Sequence, residues 1–373
     1  MIGNQFENNK RIFGLDLMRA TAITMVLCSH ILWIYPDNAS IIAQIFTVFG
    51  FFGVEIFFVL SGFLIGRILF NIYIAPNFNL HSVFYFLKRR WYRTLPNYFL
   101  FLLVAILMGY FTGMDLSKTG RYFVFLQNFA NTMLPFYPET WSLSIEEFTY
   151  LITPFALLLG LNLLKTSNPS NLFLRTIIFL IAFFVITKIY YCYTTTDTTV
   201  DQWNLSLKGV VIYRIDSILI GVVASWIYMT HYPFWEKNKI NFAFLGCFLF
   251  GLLVLSIPYF KNYITVYPFF WNVLFLPITS ITFALFLPFL TEWEKSFRWI
   301  SKPIVFISKI SYTVYLIHYS IILYLMKYCI DTSAYSIVQL HLFTIVYLFI
   351  TLLLSGLLYR YYEKPMMELR DKN

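Results

Sequence analysis

The chain has 373 residues, of which 59% are apolar and only 12% charged, and its mean hydropathy is +0.70. These values exclude an ordinary soluble domain and imply a polytopic membrane protein. The net charge of +9 comes mostly from basic residues at the ends of apolar runs, which suits anionic membrane lipid and gives no indication of nucleic acid.

About ten runs are long enough to cross ~30 Å of hydrocarbon. They fall near 13–35, 44–72, 86–112, 142–164, 172–193, 208–230, 240–258, 269–290, 309–329 and 336–361. The first follows Lys10 and Arg11 as a secretory signal would, but it is long, carries charges and lacks a small-residue cleavage site, so it is expected to be retained. The predicted fold class is all-α: one transmembrane domain over 1–373, a bundle of about ten helices. Lys and Arg favour alternate flanks, 20 of the 27 falling on one side, which predicts that both termini are cytoplasmic. Connections are short except for 113–141, expected as an outer loop with an interfacial helix in "MDLSKTGRYFVFLQNF". Cys28, Cys192, Cys247 and Cys329 show no clustering, so neither a disulfide framework nor a metal site is expected.

A charged side chain within a span costs about 2.5 to 3.5 kcal/mol on insertion scales, so it lines a polar cavity or pairs with a neighbour. The first run, "FGLDLMRATAITMVLCSHILWI", carries Asp16, Arg19 and His30. Eleven residues at 1.5 Å rise separate Arg19 from His30 by ~16 Å along the axis. That puts the arginine near the cytoplasmic boundary and the histidine in the outer half. The fourth run opens with "TWSLSIEEFTYL", and Glu146 and Glu147 are expected one turn below the outer boundary, at the depth of His30. A carboxylate there would orient the imidazole and favour its protonated form, the arrangement of a general base. Adjacent helical residues diverge by about 100°, so only one glutamate can face the histidine.

"FLKRRWYRTLP" places Lys88, Arg89, Arg90 and Arg93 at the cytoplasmic end of the third run. A stop-transfer anchor accounts for this cluster. Arg90 and Arg93 also share a helix face, where guanidinium forks suit phosphate oxygens. Arg214 and Asp216 in "YRIDSILIG" do not face each other, so each needs a partner from another helix. His318, in "SYTVYLIHYS", is expected near mid-membrane, as cavity lining or as packing. Glycines 50, 53, 62 and 66 in "FGFFGVEIFFVLSGFLIG", which also carries Glu55, are expected mainly to bring two helices close together.

These stretches together resemble the membrane acyltransferase 3 family, which includes bacterial O-antigen O-acetyltransferases. "GLDLMRATAITMVLCSH" is similar to its opening Arg-x10-His motif. The likeness continues through "FFGVEIFFVLSGFLIG", the Arg-x-x-Arg of "RRWYRTLP", "WSLSIEEFTY", "YRIDSILIG" and "SYTVYLIHYS", and so covers nearly the whole chain. Phe148 replaces the family's usual Gln, and Met18 its usual Leu. The resemblance implies a ten-helix bundle carrying an acyl group, usually acetyl, from cytoplasmic acyl-CoA to a hydroxyl of a lipid-linked or surface glycan, such as O-antigen or exopolysaccharide. By this resemblance His30 is the catalytic base and Glu146 its motif glutamate. Arg19, Arg90 and Arg93 hold CoA phosphates, and Asp16, Glu147, Arg214, Asp216 and His318 support the site. Acetyl-CoA would be a donor substrate, with no tightly bound cofactor and no metal. The expected location is a bacterial inner membrane, and no C-terminal SGNH domain is expected after the tenth span. A glycolipid transporter would use the same buried charges as a polar path, and a b-type haem protein would use His30 and His318 as axial ligands.

Overall fold

The computed structural model describes residues 11–36, 40–164 and 166–369; Lys10 lies outside these. Among the described residues, nine helical segments are long and apolar enough to cross a membrane, and a tenth, of 16 residues, is apolar but shorter. We number them α1 (Phe13–Ile31), α2 (Ile41–Ile74), α3 (Leu80–Thr112), α4 (Trp141–Leu163), α5 (Pro169–Thr194) and α6 (Ile215–Thr230). The rest are α7 (Lys239–Tyr263) and the interrupted spans α8 (Phe270–Glu292), α9 (Arg298–Cys329) and α10 (Ile337–Leu369). No strand occurs among the described residues.

The sixth run falls short of a full span because its first third is not α-helical. Asn204–Lys208 forms a π-turn and Val211–Tyr213 a 3-10 turn, and the regular helix starts only at Ile215. Single π-turns also interrupt α8 at Phe270–Leu274, α9 at His318–Leu323 and α10 at Tyr359–Glu363. Such widened turns recur at functional sites.

Helix α2 is the central post, packed most extensively along α6 and α1. In lipid, where tails are as apolar as leucine, close van der Waals fit drives helix association, and small residues permit it. A Cβ at Gly62 would lie 1.9 Å from the Ile218 carbonyl oxygen of α6, and one at Gly53 would lie 2.6 Å from the Ala22 oxygen of α1. Gly221 of α6 answers Gly62 from the facing side, 2.2 Å from the Val59 oxygen. The glycine stretch is therefore a packing face.

The segment between α3 and α4 carries its short helix within the expected stretch, as a 3-10 element with Arg121, Phe123 and Val124 exposed. It holds short 3-10 turns, Thr119–Val124 and Pro138–Thr140, with Tyr122, Gln127, Asn128 and Tyr137 buried. Tyr98 and Tyr137 hydroxyls donate to the Tyr122 and Leu316 carbonyls at 2.8 Å each, and Asn128 Nδ2 donates to the Trp141 and Gly209 carbonyls. These bonds satisfy irregular backbone that has folded into the bundle. All four cysteines are free.

Candidate functional site

Arg19 of α1, Arg90 and Arg93 of α3 and Glu146 of α4 line one cavity of about 110 Å3, closed by Ser61 of α2, Tyr150 of α4 and Tyr312 and Tyr315 of α9. The basic run of α3 thus divides. Arg89 bonds Tyr85 and Lys88 lies over Tyr92, both on their own helix, while Arg90 is buried and the exposed Arg93 joins it on the cavity wall. Arg19 donates to Ser308 Oγ at 3.1 Å and stands 3.6 Å from Asp16. Asp16 in turn accepts from Arg11 Nε at 2.5 Å and from Ser308 at 2.7 Å. The carboxylate and serine hold the Arg19 side chain at the cavity wall. Three guanidinium groups line this one small space, and guanidinium forks suit phosphate oxygens.

The two glutamates diverge as helical geometry requires. Glu146 faces the cavity and accepts from Tyr150 at 2.9 Å, and the Tyr150 hydroxyl is linked to Ser61 at 2.5 Å. Glu147 faces α3 and accepts from Thr94 at 2.8 Å. The expected pairing of Glu146 with His30 is corrected, since no contact joins them among the described residues. The start of α4 does not mark the membrane boundary, because Glu139, Thr140 and Ser142 are already buried there. Glu146 therefore lies deeper, with the arginines.

His30 meets His318 instead. Their rings lie 4.8 Å apart at 71°, and His30 Nδ1 is 3.1 Å from His318 Nε2. Acceptors determine the tautomers. His318 Nδ1 lies 2.8 Å from the Tyr315 oxygen and 3.1 Å from the Val314 oxygen. Carbonyls only accept, so its proton is on Nδ1 and Nε2 is a bare lone pair. His30 Nδ1 must then be the donor, and the Val26 oxygen at 3.0 Å requires the same. Nε2 of the half-buried His30 is left unprotonated, and no described residue bonds it. His318, fully buried, steadies the ring from behind. Direct bonding of the two imidazoles leaves no macrocycle-wide gap between them, so the pair does not fit axial haem ligation.

A carboxylate does occur at this level, and sequence reasoning missed it. Glu139 is buried and accepts from the Ser320 backbone N–H at 3.0 Å and from the Ser320 hydroxyl. Ser320 lies in the π-turn that starts at His318, where the widened turn releases an N–H to a side chain. Tyr137, two residues before Glu139, is held at φ 44° ahead of a proline, a conformation that costs of order 1–3 kcal/mol. The "PE" before "TW" was the available signal. Tyr315 joins the two regions. It lines the cavity, its hydroxyl donates to the Glu139 carbonyl at 2.8 Å and meets Ser142 at 2.7 Å, and its ring lies 5.9 Å from His318.

Arg214 and Asp216 do find partners on other helices. Arg214 pairs with Glu55 of α2, and Lys188 of α5 with Asp216. Ser280 of α8 donates to Glu55 at 3.1 Å. These fully buried pairs tie α2, α5, α6 and α8 and line neither the arginine cavity nor the histidine pair. Among the described residues, no group of three or more His, Cys, Asp or Glu is placed to hold a metal ion.

The profile of a family described as "Acyltransferase domain" matches residues 12–360. Among curated proteins, the O-acetyltransferase OatA of Staphylococcus aureus (strain NCTC 8325 / PS 47) is 24% identical over 384 residues, covering 95% of this chain and 57% of that protein. The peptidoglycan O-acetyltransferase OatA of Listeria monocytogenes is 30% identical over 181 residues, 44% of this chain and 27% of that protein. A putative peptidoglycan O-acetyltransferase of Bacillus subtilis, YrhL, is 30% identical over 176 residues, with 43% and 26% covered. The chain spans about half the length of the Staphylococcus relative. No solved structure matches it at a significant level.

Proposed function

We propose, from the premise that this chain belongs to the acyltransferase-domain family, that it moves an acetyl or other short acyl group from acyl-CoA to a hydroxyl of an extracytoplasmic glycan. The observation that carries this reading is the division of labour along the bundle. An arginine cavity suited to phosphate stands on one side of Tyr315, and a histidine with a bare Nε2 stands on the other. The Lys and Arg bias supports a cytoplasmic arginine end and cytoplasmic termini, and the bacterial relatives support a bacterial membrane. The names of the Listeria and Bacillus relatives favour a peptidoglycan-type acceptor over O-antigen or exopolysaccharide.

In this scheme the CoA phosphates bind Arg19, Arg90 and Arg93, and the thin arm carries the thioester toward Tyr315. His30 Nε2 takes the proton of the acceptor hydroxyl as its oxygen attacks the thioester carbonyl. The C–S bond breaks, the thiolate leaves, and the proton on His30 passes to it. His318 accepts from His30 Nδ1–H throughout, a bond that strengthens when the ring becomes imidazolium. Glu146 faces the same cavity as the arginines and works at the donor end.

Membranes containing the protein, supplied with labelled acetyl-CoA and a crude glycan extract, test this directly. Alkali-labile label should enter glycan with stoichiometric CoA release, and His30→Ala should abolish both while protein stays in the membrane. Full activity in that variant would sink the scheme. Glycan movement without CoA release would identify a transporter.

A further inference from the structure

Four elements converge on the open end beyond His30: the end of α1 with its 3-10 turn Leu32–Ile34, the π-turn of α9, the last turn of α9, and the start of α10. The Trp33 ring is 60% exposed and lies 5.8 Å from Tyr319, whose own ring lies 4.6 Å from His30. Lys327 Nζ holds the Trp33 carbonyl at 2.6 Å. The Tyr35 hydroxyl meets His341 Nδ1 at 2.8 Å and Thr344 Oγ1 at 3.0 Å, forming a polar rim beside the aromatic pair.

We infer that Trp33 and Tyr319, with the Tyr35 and His341 rim, form the subsite that seats one pyranose ring of the acceptor next to His30 Nε2. The inference rests on the acyl-transfer reading and deepens it by naming the group recognised. Aromatic faces carry negative potential that attracts the weakly positive C–H face of a sugar, and the rim offers hydroxyl and imidazole partners to its equatorial hydroxyls. A tryptophan that merely anchored the chain at the interface would need neither a ring contact continuing to His30 nor a lysine tether on its carbonyl. The continuity from Trp33 through Tyr319 to His30 is what makes the feature a site: a sugar stacked there presents a ring hydroxyl to the base.

Two measurements on the full chain test it, with soluble peptidoglycan fragments as the probe. In transfer assays Trp33→Ala should raise the apparent KM for fragments about tenfold, the scale of one lost aromatic stacking contact. The KM for acetyl-CoA should not move, and Trp33→Phe should recover most of the loss. Equilibrium dialysis of a labelled tetrasaccharide against His30→Ala protein, which cannot turn over, should give a Kd that also rises about tenfold when Trp33→Ala is added. An unchanged Kd, or no binding to the His30→Ala protein, overturns the subsite. Transfer indifferent to Trp33 also overturns it, while leaving the enzyme reading intact. Binding that depends on Trp33 in a protein that transfers nothing upholds the subsite and removes the reading beneath it.

Discussion

Replacing His318 by leucine tests how the base is held. The perturbed contact is the 3.1 Å bond from His30 Nδ1–H to His318 Nε2. While both rings are neutral it contributes ~1 kcal/mol, and once His30 carries the proton it becomes a bond to a charged donor worth about 1.5–3 kcal/mol. Only the difference, about 0.5–2 kcal/mol, favours the transition state, so kcat should fall by about 2- to 30-fold. The Val26 carbonyl still holds the proton on Nδ1, which limits the loss and sets this case apart from one in which the tautomer is reversed. The assay is steady-state acetyl transfer in membranes, with acetyl-CoA and acceptor varied separately. His318→Gln, which returns an acceptor oxygen near the Nε2 position, should recover most of the rate, whereas a packing residue would gain nothing from it. A leucine variant with wild-type kcat, or a loss wholly in the KM for acetyl-CoA, would refute the reasoning.

Arg90→Ala with Arg93→Ala should raise the KM for acetyl-CoA at least tenfold, on the scale of about 1.5–3 kcal/mol per charged hydrogen bond; an unchanged value would return the cluster to a topological role. Gly62→Ala should lower the melting temperature in detergent. Its Cβ would start 1.9 Å from the Ile218 oxygen, where ordinary contact begins at 3.4 Å, and overpacking of this kind costs about 1–3 kcal/mol. Gly251→Ala, with nothing within 4 Å, is the silent control. Lys188→Met strands Asp216, whose Oδ1 already lacks a partner, and should destabilise the fold by about 3–5 kcal/mol. Adding Asp216→Leu should restore much of that in the same melting experiment.

The sequence makes legible whatever depends on length and helical phase. Span number follows from hydrocarbon thickness, the divergence of Glu146 from Glu147 from the 100° step, and the shared face of Arg90 and Arg93 from their three-residue spacing. Arg214 and Asp216 demanded partners on other helices because a two-residue offset separates their faces. Which partners they find is a matter of packing, and Glu55 and Lys188 are supplied by helices whose rotation the sequence leaves free. Relative depth was the quantity misjudged. An apolar run shows where a helix can begin, but the segment before α4 enters the bundle as 3-10 turns stabilised by Tyr98, Asn128 and Tyr137. That shift moved Glu146 to the arginines and brought Glu139 to Ser320. The widened turn at His318 has no periodic trace in the sequence, so its pairing with His30 was not foreseeable from spacing.

The Tyr315–Ser142 bond also acts as electrical insulation. Catalysis across a bilayer must join reactants from two compartments without letting ions leak between them, and a septum one side chain thick meets both needs. The Tyr315 hydroxyl, held by Ser142 and the Glu139 carbonyl, stands between the arginine cavity and the histidine pair. In the proposed scheme the acyl group passes outward as a proton passes inward to the sulfur, so the exchange carries no net charge across this layer and is not driven by membrane voltage.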